Sequence, residues 1–146
     1  MYEMFSNCNG LTSLDVTNFD TSNVMNMEWM FADCSSLTSL DVTNFGTSNV
    51  ISMRGMFSNC KSLANIYVSN FDTSNVTDMY YMFCGCISLT SLDISNATFT
   101  AVTTYTDMFK DFKSGSTITV KDSTAQTFIQ ARLTDASVTA TVQIKP

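Results

Sequence analysis

The pair Met-Phe occurs at Met4-Phe5, Met30-Phe31, Met56-Phe57, Met82-Phe83 and Met108-Phe109, each pair 26 residues after the one before. A fixed period of that size marks a repeat architecture, in which each unit is one small supersecondary element stacked on its neighbours. The unit is clearest in Met30 to Gly55, MFADCSSLTSLDVTNFGTSNVISMRG, and nearly the whole chain is made of copies of it. Nine positions in each unit are apolar, and a lone unit has nothing to cover them with. Fully burying one large side chain is worth roughly 1.5–3 kcal/mol, so unit-on-unit stacking has to drive folding.

Each unit divides into three parts. The first is L-x-x-L-x-V, seen as Leu11/Leu14/Val16, Leu37/Leu40/Val42, Leu63/Ile66/Val68 and Leu89/Leu92/Ile94. Its last two apolar positions are two apart, which is strand alternation. The second is a polar turn around Phe19, Phe45 and Phe71, with Thr21 or Ser22 and their equivalents placed to cap a helix. The third is V-x-x-M-x-x-M-F. Val24, Met27, Met30 and Phe31 fall within an arc of roughly 120° at helical spacing, which predicts a short helix with one buried face. Asn7, Asp33, Asn59 and Gly85 follow it, where a left-handed residue commonly ends a helix.

The repeats decay after Asn96, but the period holds: Ile118 and Val120 lie 26 residues after Leu92 and Ile94 and predict a strand in register. Ser123 to Leu133 predicts a helix capped by Asp122 or Ser123, with Ala125, Phe128, Ile129 and Leu133 on its apolar face. VTATVQI, 138–144, alternates as a last strand. The expected organisation is therefore four units over 1–109, truncated at the N-terminus, then a last coil and α/β cap over 110–146. Met1 stands where other units place Met27, so the chain starts in mid-unit, as a fragment or a chain with a lost leader would. The uncapped edge is a place for self-association.

Charge narrows the partners. The chain has a net charge of −6 and no histidine. Residues 1–107 carry −8, and residues 108–146 carry +2. An acidic repeat body repels phosphate backbones, which excludes nucleic acid as the expected partner. The commonest general base is missing, no G-x-S-x-G elbow is present, and no apolar run is long enough to enter a membrane. Neither catalysis nor a cofactor is expected. Cys8, Cys34, Cys60 and Cys86 repeat with the period and read as buried free thiols, with a disulfide or a metal site the lesser alternatives; Cys84 is the thiol expected to react most readily.

Outward strand positions form three columns: Ser13, Ser39, Asn65, Ser91; then Asp15, Asp41, Tyr67, Asp93; then Thr17, Thr43, Ser69, Ser95. In curved repeat stacks such a concave sheet face is the usual binding surface. Stacked carboxylates about 5 Å apart repel unless hydrogen-bonded, screened or bridged by a cation such as calcium. The plain alternative is that these side chains only solvate the sheet. Trp29, Tyr80 and Tyr81 sit at variable positions of the third part and offer a second patch on the convex side.

The run MF-x-x-C-x-S-L-T-S-L-D-V-T-N-F-D-T-S-N-V-x-x-M resembles the repeat of the BspA-like leucine-rich repeat family of bacterial surface proteins, over residues 1 to about 109. The resemblance implies an α/β, leucine-rich-repeat-like right-handed solenoid with one parallel strand and one short helix in each 26-residue coil. It also implies extracellular or cell-surface display and adhesion. The expected function is a non-catalytic binding module that presents a polar acidic sheet face to a host or microbial protein or glycan. The alternative is a structural spacer that projects another domain and binds nothing itself.

Overall fold

In the computed structural model, which describes all of residues 1–146, alternation at the first part of each unit produces short parallel strands. These are β1 (Ser39–Asp41), β2 (Asn65–Tyr67) and β3 (Ser91–Asp93), followed by β4 (Thr117–Val120), α1 (Ser123–Asp135) and β5 (Thr141–Ile144). They make two open sheets, β1-β2 and β3-β4-β5, all parallel. The register follows the period: Leu40 pairs with Ile66 and Leu92 with Ile118. All four are buried, while Ser39, Asn65 and Ser91 beside them are exposed. The equivalent stretch of the first unit is no strand. It has a neighbour on one side only, through Thr38 N–H to the Thr12 carbonyl at 3.4 Å, and Leu11 and Leu14 stay half-buried.

The short helix expected in each unit does not form; α1 is the one helix of the chain. The third part is instead a run of turns whose N–H groups alternate between two kinds of acceptor. Met27, Trp29, Phe31 and Asp33 donate to the carbonyls of Ser52, Arg54, Met56 and Ser58 in the next unit, at 2.8–3.0 Å. Met30, Ala32 and Cys34 donate back three residues within their own unit, at 3.1–3.3 Å. An α-helix would need every N–H for its own chain. Left-handed residues at Trp29 and Asp33 (φ 54° and 59°) interrupt it again, and the pattern recurs at Gly55 and Asn59, Tyr81 and Gly85, and Asp107 and Asp111. Three-residue turns place side chains i and i+3 on one side, so the spacing imitates a helix. The left-handed residues expected at Asn7, Asp33, Asn59 and Gly85 are there, but they end turns rather than helices.

A second ladder therefore runs beside the strands, marked by parallel bridges between Asn26, Ser52, Asp78 and Thr104. Its apolar side carries a column of rings. Phe5, Phe31, Phe57, Phe83 and Phe109 stack with centroids 5.6–5.8 Å apart and planes within 2–13°. Polar side chains join the units elsewhere. Thr21 and Thr47, expected to cap helices, donate their hydroxyls to the Gly46 and Asp72 carbonyls, and Thr73 donates to that of Thr98. The Asn44 and Asn70 carboxamides donate to the Phe19 and Phe45 carbonyls. Each such bond satisfies a backbone oxygen that the turn leaves open. The buried side chains from Val16 to Leu133 form one continuous core of 36 residues, although the strands fall into two sheets.

The C-terminal segment is close to expectation. Asp122 accepts from the Ala125 N–H at 2.9 Å and starts α1, and Ala125, Ile129 and Leu133 are buried. Phe128 stays half-buried and stacks on Phe99 with centroids 4.8 Å apart.

Candidate functional site

Strand alternation turns the expected columns outward, but strand pairing does not join them into one sheet. Ser39 and Asp41 lie directly opposite Asn65 and Tyr67 on the first sheet. Ser91 and Asp93 belong to the second sheet, and no strand pairing joins β2 to β3. Ser13, Asp15 and Thr17 are exposed on the unit without a strand. Thr43 is exposed and Ser69 half-buried just past β1 and β2. Ser95 is buried, with the Lys145 ammonium donating to its hydroxyl at 3.1 Å, so it does not offer an open surface.

The carboxylates of the middle column are already occupied. Asp15 accepts from both the N–H and the hydroxyl of Thr17, at 3.0 and 2.7 Å. Asp41 does the same with Thr43 at the same distances, and Asp93 accepts the Ser95 N–H at 2.9 Å. These bonds hold the Asp15 and Asp41 carboxyls below the usual range: the Thr17 backbone contributes most at Asp15 and the Thr43 hydroxyl at Asp41. Asp41 and Asp93 thus end their strands with a local turn, and Asp15 makes the same turn where no strand forms. No group of three or more carboxylates and thiols is placed to hold a metal ion. Tyr67 has no such tie and stands 53% exposed in the middle of the face.

The thiols are free, and Cys8, expected to be buried with the other members of its column, is only half-buried. Cys34, Cys60 and Cys86 each point inward and donate to the carbonyl of Phe5, Phe31 or Phe57, at 3.1–3.3 Å. Burial pushes Cys34 up to about 11 and Cys86 up to about 12, and raises Cys60 as well. Cys84 is half-buried and also raised by burial, so its thiolate is disfavoured too.

Trp29, Tyr80 and Tyr81 gather around Arg54, a residue the sequence reading passed over. The Arg54 guanidinium lies 4.2 Å from the Tyr80 ring centroid and 5.8 Å from that of Trp29, and it pairs with Asp78 at 3.6 Å. Tyr80 and Tyr81 stack with centroids 4.0 Å apart. The clue was register: Arg54 and Tyr80 occupy the same position of successive units, and Trp29 and Tyr81 the next one. These rings and the cation occupy one another's faces, which makes the cluster a self-packed knot.

Fold and surface together define a small mixed α/β repeat protein with an apolar stacked interior and a polar strand face. The chain belongs to the DUF285 family, described as Mycoplasma protein of unknown function, whose model matches residues 1–123. That match overturns the resemblance to BspA-like leucine-rich repeats, which is a different family, and removes the support which that resemblance lent to adhesion. The turn-built third part, with no helix, also departs from the one strand and one short helix per coil that the resemblance implied. No curated protein and no solved structure matches the chain. No helix is long and apolar enough to cross a membrane.

Proposed function

We propose that the chain is a non-catalytic binding module, displayed outside the cell, whose units wind as one right-handed solenoid closed by β4, α1 and β5. The partner is a protein or glycan that lies on the strand face. The observation that carries this reading is Tyr67: a large ring, 53% exposed, beside Asp41 and Asn65 on a face otherwise made of small polar groups. An exposed ring with a polar tip supplies contact area at little entropic cost, which is why Tyr concentrates in binding surfaces. Stacking of the phenylalanines and the two ladders support a stiff platform. A chain without histidine, with protonated thiols and with carboxylates in like environments, supports binding over catalysis. The acidic repeat body argues against nucleic acid.

One observation favours a spacer that binds nothing: the Asp carboxylates are consumed by their own turns. The test is binding of the chain to a panel of extracellular-matrix proteins and surface glycans at two salt concentrations, beside a Tyr67→Ser, Asp41→Ser variant. Specific binding that the variant loses supports the module. Binding that the variant keeps, or no binding at all, leaves the spacer.

A further inference from the structure

The turn ladder ends in an unfilled row. At every earlier unit the alternate N–H groups find carbonyls in the next one: Met79, Tyr81, Phe83 and Gly85 donate to Thr104, Thr106, Met108 and Lys110, at 2.7–3.2 Å. The same positions one unit later are Tyr105, Asp107, Phe109 and Asp111, and their N–H groups have no acceptor within the chain. The following segment is α1, whose last carbonyls are used locally: Arg132, Leu133 and Thr134 accept from Ala136, Val138 and Ser137. A helix covers the row but offers it no oxygens. Phe109 is buried, whereas Tyr105 and Asp107 are half-exposed. Between them and the end of α1 lies a cleft of about 300 Å³, lined by Tyr105, Asp107, Met108, Arg132, Asp135 and their neighbours.

We infer that this cleft receives a peptide main chain in the turn conformation of the units themselves, which adds to the turn ladder by accepting hydrogen bonds from the Tyr105 and Asp107 N–H groups. At each earlier unit the same row takes polypeptide carbonyls two residues apart from a turn segment of the next unit. Charge selects the peptide. Arg132 is held by Asp135 at 2.9 Å and lies over the Tyr105 ring at 4.2 Å, so its charge is spent. With Asp135 paired to Arg132, Asp107 leaves the rim acidic, which disfavours a free oxyanion and favours a segment carrying Lys or Arg. This site is separate from the strand face around Tyr67 and stands or falls without it.

The chain itself supplies the probe. Residues 50–59, VISMRGMFSN, form the segment whose Ser52, Arg54, Met56 and Ser58 carbonyls accept this row inside the molecule, and they carry Arg54. A synthetic peptide of that sequence is titrated into the isotope-labelled full chain, with amide shifts and hydrogen exchange as readout. The Tyr105 and Asp107 amides are expected to shift, and their exchange to slow by about tenfold when free peptide is about ten times the Kd. An Asp107→Asn, Asp135→Asn variant is expected to bind more weakly, and Ala136→Trp to close the cleft. If the tryptophan variant fails to fold, the Asp variant alone carries that arm. No binding at millimolar peptide, binding that leaves both amides unmoved, or acetate and inorganic phosphate protecting them as well as the peptide does would each overturn the inference.

Discussion

Gly55 shows what a single residue does in a stack of this kind. Its φ of 58° is shared by Trp29, Tyr81 and Asp107 at the same position of other units, so the backbone there does not require glycine. Space does. A Cβ on Gly55 would lie 2.0 Å from the Trp29 ring, which covers this position and meets Tyr81 edge-on with centroids 6.5 Å apart. Gly55→Ala is therefore expected to destabilise by more than the about 1–2 kcal/mol of a left-handed alanine. In a Trp29→Ala background the loss should shrink to about that figure, because only the overlap is relieved. Urea unfolding of the four chains of the cycle measures it; equal losses in both backgrounds would refute the account.

Among the elements, α1 is the one whose ends are set by familiar helix chemistry. Asp122 satisfies the Ala125 N–H, and Ala136 closes the other end on the Arg132 carbonyl. Removing the acceptor by Asp122→Ala is expected to cost about 1 kcal/mol, while Asp122→Ser retains most of the stability. Thermal unfolding of both variants checks this, and an unchanged midpoint for the alanine variant would rule the cap out as a stabilising contact. The short strands have no such independent ends. Each is only three or four residues long, and the first unit, with one neighbour, forms none. Strand formation here is a property of pairs of units.

Across the whole molecule, the thiol column ties stability to alkaline pH. The folded state keeps Cys34 and Cys86 protonated to about 11 and about 12, above their ordinary 9.0, because burial penalises the thiolate. The folded chain then binds more protons than the unfolded chain above pH 9, so stability is full below that value and falls as pH rises toward 11 and 12. Melting curves from pH 7 upward should show that loss, and a chain with Cys34, Cys60 and Cys86 replaced by alanine should show a flatter profile from a lower starting stability. Parallel profiles for the two chains would contradict it.

The sequence by itself determined the period, the inward positions of the strands, the buried thiols Cys34, Cys60 and Cys86, the left-handed residues at Asn7, Asp33, Asn59 and Gly85, and α1 with its cap. Each follows from the repeat spacing or from local side-chain chemistry. Only the tertiary structure decided the rest. Val24, Met27, Met30 and Phe31 have the spacing of a helix, but their N–H groups are claimed alternately by the next unit, so turns replace it. Asp41 stands in an outward column, yet its carboxylate is spent on Thr43; Ser95 stands in another, yet Lys145, far along the chain, covers it. The open row at Tyr105 and Asp107 exists because a helix follows where a sixth set of carbonyls would have stood. Which hydrogen bonds a unit makes to its neighbour is a matter of what that neighbour presents, and a one-dimensional pattern does not carry it.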